Sequence, residues 1–450
     1  MTRVINIKTF VPLIVVQCYL LFSLLLLKLG PIEWKLENEF LFWVYICTYH
    51  VSFLLGYFIA VTLCKSFSIS QASDAMTVNR EFKILIWLAF IASLIGHRNL
   101  AHTPSYLPVD FIKDLISGIS DPAGRYYYKL SPEAQQNFSG NKLVTAFFAF
   151  FAFARFSLLP FIVFYWNKLG FYQRLSGFLV VLLAPLSGVS VGTNKPFFDF
   201  VFVLVLSTLI PILRTKRFYS LKIKKQIAWQ IMVFLVLVAT ALGYFKLTQD
   251  SRVGHLDYIE STSIKGNISV SEIVLNCAQN STLSGICATI ILATGYLVQG
   301  YYGMSLALDE PFDSTFGLGS SHVLLRWSGD ILGINLVDRT FQYKITSQWN
   351  SLGQWHSAYS QIANDVGFFG VSIIILLFAG VYGYVWKHYV LHNDFISLLL
   401  VILFSIGIAY IPANNQLLNN VELLFATVEI FFFWVFTRVF RLKLNLNSRS

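Results

Sequence analysis

Charge is what this chain has least of. Asp, Glu, Lys and Arg make up 12% of its 450 residues against 56% hydrophobic ones, and mean hydropathy is +0.63. A soluble domain carries about twice that charged fraction, so a soluble globular enzyme is excluded. Metal-ligand spacings such as C-x-x-C or H-E-x-x-H are missing, so no metal site is expected. There is no Walker-type phosphate loop, no convincing internal repeat and no low-complexity segment. A cleavable signal peptide is lacking too. The apolar run from Phe10 to Leu27 is too long and has no small-residue cleavage motif before Pro31, so it reads as a signal anchor.

What the chain does have is apolar runs long enough to cross roughly 30 Å of hydrocarbon. They lie near 10–28, 40–63, 84–96, 143–165, 175–190, 197–213, 227–245, 369–387, 395–412 and 420–437, which makes about ten helices. The 42 Phe, 22 Tyr and 10 Trp suit lipid-facing surfaces and interfacial belts. The net charge of +10 fits cytoplasmic Lys and Arg and anionic lipid better than nucleic acid. The expected fold is an all-α polytopic membrane protein, with residues 1–450 forming one integral membrane domain.

Basic residues set the expected orientation. Arg214, Lys216, Arg217, Lys222, Lys224 and Lys225 form the densest cluster. Placing it in the cytoplasm puts Arg3, Lys8, Lys65, Arg80, Lys83, Lys168, Arg174, Lys387 and the tail with Arg438, Arg441, Lys443 and Arg449 there as well, so both termini are cytoplasmic. Two large loops, 97–141 and 247–366, then face outward. Within the second, 286–307 is another apolar run. It holds Gln299, three tyrosines and three glycines, and counting it as a span would reverse everything after it, so an interfacial or re-entrant helix is expected. Residues 109–117 carry apolar positions at helical spacing, the pattern of an amphipathic helix lying on the membrane. Cys18, Cys47 and Cys64 are expected as buried apolar residues. Cys277 and Cys287, in the outer loop, are either a disulfide or two thiols.

Several residues could carry chemistry. His356 opens His356-Ser357-Ala358-Tyr359, followed by Asp365 and by Gly367 and Gly370 entering an apolar run. Histidine is the side chain whose ordinary pKa lies nearest neutrality, so it can take or give a proton at a membrane surface. The alternative is an interfacial histidine with its hydrogen bonds satisfied. Lys195 lies in Gly192-Thr193-Asn194-Lys195-Pro196, where Pro196 suits a first helical turn and Thr193 or Asn194 an N-cap. A lysine at a helix N-terminus suits a phosphate, unless Asp199 one turn on neutralises it. Arg155 sits within a phenylalanine-rich run, where an arginine costs at least about 2.5–3.5 kcal/mol. It either meets a lipid-linked anion or is tied to carbonyls or Asp199. Among the loop arginines, Arg125, Arg252 and Arg326 are further diphosphate candidates, since guanidinium forks grip phosphate bidentately. Any one of them could equally be a solvated ion pair.

The pattern H-S-x-Y, then an acidic residue, then G-x-x-G entering a span, resembles the signature of the O-antigen ligase and polymerase superfamily. The Gly192–Lys195 turn is similar to the small-residue-plus-basic turn that opens a span in these proteins, with lysine where arginine is usual. The resemblance implies a GT-C-like fold with two large periplasmic loops containing amphipathic helices, in a bacterial inner membrane. It also implies metal-independent glycan transfer from undecaprenyl diphosphate without a cofactor. His356 matches the histidine that acts on the acceptor hydroxyl, and Lys195 the residue that contacts the diphosphate. Asp365 is expected to orient His356. Undecaprenyl-diphosphate-linked oligosaccharides and the bilayer are the expected partners, and a chain-length regulator would be a further one. The activity expected is repeat-unit polymerisation. The alternatives are ligation to lipid A–core, flipping of lipid-linked oligosaccharide, or a membrane scaffold.

Overall fold

Nearly every apolar run folds as a helix. The computed structural model describes residues 7–64, 75–102, 107–131, 134, 142–214, 221–252, 268–280, 283–350 and 353–447. The chain begins α1 (Val11–Leu29), β1 (Ile32–Trp34), α2 (Glu39–Leu63), α3 (Ala75–Ala101), α4 (Pro108–Ser120), α5 (Pro122–Leu130), α6 (Lys142–Phe150) and α7 (Ala152–Phe164). It continues through α8 (Phe171–Ser190), α9 (Lys195–Arg214), α10 (Leu221–Arg252), β2 (Ile268–Val270), α11 (Glu272–Asn280) and α12 (Ser284–Ala307). Last come α13 (His322–Leu332), α14 (Phe341–Lys344), α15 (Ala358–His392), α16 (Phe395–Tyr410), α17 (Gln416–Asn419) and α18 (Val421–Asn447).

Among the described residues, eight helices are long and apolar enough to cross a membrane, which makes this an all-α polytopic membrane protein. They lie in α1, α2, α3, across α6 and α7, and in α8, α9, α12 and α15. The expected crossings at 227–245, 395–412 and 420–437 fall in α10, α16 and α18. In the basic cluster at 214–225, Lys216 and Arg217 lie outside the described residues, as do the side chains of Lys222, Lys224 and Lys225.

Residues 1–450, expected as one domain, divide into two compact units, each discontinuous in sequence. The first comprises Met1–Ser68, His255–Asn393 and Leu403–Val421. Its spine is α2 packed on α15. A Cβ at Gly56 would collide with the Leu376 carbonyl, and one at Gly383 would stand 3.1 Å from the Tyr57 ring. Glycine therefore lets the two backbones close up, the usual device where no hydrophobic effect drives helices together. At one end of this spine the Trp386 indole donates to the Lys8 carbonyl (3.0 Å) and Tyr57 to that of Thr9 (2.7 Å). Lys387 donates to the carbonyls of Val61 and Cys64, 2.7 and 2.8 Å away, and so serves the end of α2. Lys8 and Lys387 thus share one end.

The other end carries the α1–α2 connector, where β1 pairs antiparallel with β2, Ile32 opposite Val270. α12 runs beside this connector. Gly295 packs on Ile32, Tyr301 meets Ser23 at 3.2 Å and the Phe42 ring at 6.0 Å, and Asp309 just past the helix accepts from Asn38 at 2.5 Å. From Gly295 to Ala307, roughly 18 Å of helix, its contacts with α1 and α2 stay at the connector end. By length and hydropathy α12 qualifies as a candidate span, where an interfacial or re-entrant helix was expected from the orientation of the basic residues. Its Gln299 is buried and accepts from the Trp355 amide at 3.2 Å.

A disulfide between Cys277 and Cys287, with Cα atoms 6.0 Å apart, ties α11 to α12. Cys18, Cys47 and Cys64 are exposed rather than buried as expected. A thiol is apolar enough to sit on a lipid-facing helix surface.

The second unit comprises Ile69–Gly254, Asp394–Ile402 and Glu422–Ser450. Val78, Phe82 and Ala89 of α3 pack with Leu158, Phe161 and Ile162 of α7 and with Leu169 to form its core. Pro160, Pro185 and Pro211 lie inside α7, α8 and α9, as membrane helices tolerate. The expected span 143–165 is broken at Phe151 into α6 and α7. Arg438 of α18 pairs with Asp394 at 2.6 Å beneath the Trp434 ring, 4.1 Å from its guanidinium carbon.

Gly56→Ala is expected to push α2 off α15 at a cost of about 1–3 kcal/mol, lowering the thermal midpoint of the detergent-solubilised protein. Gly243, where an added Cβ would meet nothing within 4 Å, is the control: Gly243→Ala should leave the midpoint unchanged.

Candidate functional site

In the first unit His356 immediately precedes α15. Ser357 caps that helix, its hydroxyl accepting from the Ser360 amide at 3.2 Å. The backbone on either side of the cap is held elsewhere: the Ser357 amide donates to the Gly300 carbonyl (3.1 Å) and that of Ala358 to the Ile411 carbonyl (2.9 Å). His356 is 2% exposed. It lies over Gly303 of α12, where an added Cβ would sit 3.2 Å from its Nδ1 and 2.9 Å from the Trp349 ring. Among the described residues neither ring nitrogen has a hydrogen-bond partner.

That combination is unusual, because buried polar groups are almost always hydrogen-bonded. Burial holds the imidazole neutral, lowering its pKa from 6.5 to about 3, and the neighbouring His322 adds to the fall. A neutral imidazole offers one acceptor and one donor nitrogen. What reaches this ring from another molecule would find both.

Asp365 does not orient His356. Its carboxylate accepts from the Thr315 hydroxyl (2.5 Å), the amides of Gly317 (2.9 Å), Gly319 (2.9 Å) and Ser320 (2.8 Å), and the Ser320 hydroxyl. It is the anchor of the 314–320 loop. Its neighbour Asn364 does the same work: its amide donates to the Gly319 carbonyl (2.9 Å) and its carbonyl accepts from the Phe341 amide (2.9 Å). Directly after, Gly367 leaves the helical conformation at φ 69°. The start of α15, residues 358–366, is thus a separate short helix clamped to the loop. Gln361 extends the clamp, accepting from the Asn415 amide (3.1 Å) and the Asn419 side chain (2.6 Å).

Arg326 lies on α13, with a side chain 67% exposed and Asp330 one turn away at 3.8 Å. It is a solvated surface pair, worth little on its own.

The remaining candidates belong to the second unit. Lys195 opens α9 and pairs with Asp199, as their spacing predicts. Asn194 stands before it, its side chain accepting from Thr248 at 2.8 Å. The turn is tightly covered. Gly192 has φ 63°, and a Cβ there would collide with the Pro122 carbonyl at the start of α5. Gly118 of α4 packs on the Val189 and Ser190 backbone in the same way. Arg125 of α5 then donates to the Ser190 carbonyl (3.2 Å) and to Asp114 of α4 (2.7 Å). Asp114 also holds His97 at 3.2 Å. The outer face of α4 is a stripe of exposed Val109, Ile112, Ile116 and Ile119, matching the amphipathic pattern read at 109–117.

Arg155 pairs with Glu422 at 3.0 Å, not with Asp199. It lies against Gly96, where a Cβ would be 2.5 Å from its Nη1. Glu429, two turns beyond Glu422 on α18, accepts from the Phe153 amide at 3.2 Å. It therefore serves an N–H left without a helical partner where the chain breaks at Phe151. These two glutamates were missed. Carboxylates within the apolar run 420–437 were the signal that could have found them. Three of the second unit's candidate cations are thus matched to carboxylates: Lys195 to Asp199, Arg125 to Asp114, Arg155 to Glu422. Arg252 ends α10, and its side chain lies outside the described residues.

Two outcomes are expected. Asp365→Ala orphans several backbone donors and should cost about 2–3 kcal/mol, with new proteolysis at 314–320. Asp365→Asn, which keeps one acceptor oxygen, should lose less. For His356 the sign follows from its lowered pKa. The unfolded chain takes up this proton near pH 6.5, the folded one only near 3. Its contribution is complete above pH 6.5 and lost as pH falls toward 3. The thermal midpoint should therefore drop between pH 7 and 4, and drop less in His356→Gln.

Compared with protein-family models, curated proteins and solved structures, the chain has no match in any of the three.

Proposed function

We propose that this protein is a membrane glycosyltransferase that polymerises lipid-linked oligosaccharide repeat units, as O-antigen polymerases do. One observation carries this reading: a neutral imidazole, buried beside a broken helix, with no hydrogen-bond partner on either nitrogen among the described residues. Its nitrogens are left for an incoming hydroxyl, and the neutral ring can take that proton once an anion beside it raises its basicity.

In the reaction, a sugar hydroxyl of the acceptor repeat unit attacks the anomeric carbon of the growing chain. The new glycosidic C–O bond forms as the bond to undecaprenyl diphosphate breaks. The bonding electrons leave with the diphosphate, the hydroxyl proton passes to His356, and the anomeric centre inverts. Lys195, Arg125 and Arg155, all of the second unit, are assigned to diphosphate. Each is now balanced by a carboxylate, so the incoming anion would have to displace one. Asp365 serves the site by anchoring its loop. The disulfide on α11 and α12 fits an oxidising, extracytoplasmic compartment for the His356 end of the first unit. Lys8 and Lys387 at the opposite end fit the cytoplasm.

Chain breaks at Phe151 and Gly367, with intramembrane Arg155, Glu422 and Glu429, favour a second reading, a lipid-linked oligosaccharide transporter. The two differ in what a knockout accumulates. Repeat units stay on the inner leaflet if transport fails. They reach the surface as single units on lipid A–core if polymerisation fails, and ligase loss leaves none there.

His356→Ala, at equal expression in the membrane, is expected to reduce the lipopolysaccharide ladder to the single-unit band. A ladder of wild-type length would remove the assignment.

A further inference from the structure

The aromatic residues around His356 fall into two groups. Trp349, Tyr301, Tyr302 and Tyr359 are buried to 2% exposure or less and form packing. Tyr296, Trp355 and Tyr410 are partly exposed. Trp355, the residue before His356, has its ring centroid 5.4 Å from that of Tyr296, nearly perpendicular at 88°, and 6.4 Å from that of Tyr410 at 45°. Three rings from three elements thus adjoin at the surface beside the imidazole.

Trp355 is placed by its backbone. Its amide donates to Gln299 (3.2 Å) and its carbonyl accepts from the Trp349 indole (3.0 Å). The rings also border amides. The Tyr410 carbonyl accepts from the Asn414 backbone amide at 2.7 Å. The Asn414 side chain in turn joins Gln361 (3.0 Å) and Asn419 (2.8 Å). A pyranose ring has an apolar face of C–H bonds and a rim of hydroxyls. It is matched by an aromatic face flanked by amide groups. A lipid chain would use the rings and leave the buried imidazole without a partner.

We infer that Trp355, with Tyr296 and Tyr410, is a stacking platform for a sugar ring of the acceptor, holding its hydroxyl toward His356. This rests on the transferase reading and adds to it the substrate class bound at this end of the first unit.

The test uses full-length protein in nanodiscs. Its probe is the repeat-unit oligosaccharide released by hydrolysis from the host strain's own surface polysaccharide. Binding is measured by isothermal titration calorimetry in a His356→Ala background, where no turnover is needed. Trp355→Ala should weaken binding roughly five- to tenfold, Tyr410→Ala should also weaken it, and Trp355→Phe should recover most of the loss. With His356 intact, the same variants should raise KM for lipid-linked repeat units by a similar factor and leave kcat within about twofold. Affinity unchanged by Trp355→Ala overturns the platform. So does a variant that binds oligosaccharide normally but is less stably held in the membrane, which would mark the rings as interfacial anchors. A knockout strain that keeps a lipopolysaccharide ladder of wild-type length sinks the transferase reading, a result separate from the binding measurement.

Discussion

An imidazole buried without hydrogen-bond partners among the described residues costs free energy, and the first unit holds the backbone on both sides of His356. Ser357 and Ala358 are bonded to the backbones of Gly300 and Ile411, beside Gly303 on which the ring lies. Trp355 before it is held at both its amide and its carbonyl. Strain of this kind concentrates where function needs a group prepared in advance. The ring is neutral for an ordinary reason: removal from water penalises the charged form. A base of such low pKa is weak at rest. An anion arriving beside it would raise its basicity at the moment it is needed.

Around that ring the architecture separates rigid from variable. The spine of α2 and α15 is closed by glycine contacts, while Asp365 and Asn364 fasten the short helix at 358–366 to the 314–320 loop. Gly367 makes the separation possible. Its left-handed φ ends one helix and starts another without a loop, and Tyr49 donates to the Phe368 carbonyl just beyond the break at 2.8 Å. The active-site candidate therefore stands on a short element held by polar side chains, at the end of a long element held by packing.

Much of this was legible before any coordinates. Apolar runs gave helices because a backbone in lipid must satisfy its own hydrogen bonds. The Lys195–Asp199 pair and the stripe on α4 followed from helical periodicity. The sequence also singled out the His356 segment, but not the work its members do. Asp365 lies within three turns of His356, yet its partners come from a loop some 45–50 residues earlier, a distance that local spacing cannot reveal. Arg155 was in reach of Asp199 on paper, whereas its partner, Glu422, is more than 260 residues away in sequence. Gly367, read with Gly370 as the entry to an apolar run, is a break in the helix, which its φ of 69° reveals and sequence spacing does not.

The most direct measurement is the protonation state of His356 itself. In protein carrying ¹⁵N-labelled histidine, the His356 ring signals can be identified by their loss in His356→Gln and followed from pH 8 to pH 4.5. The account predicts a ring that stays neutral across that range while exposed histidines protonate, and that changes its signal on addition of lipid-linked repeat unit. A His356 that titrates near pH 6.5, indifferent to that addition, would contradict it.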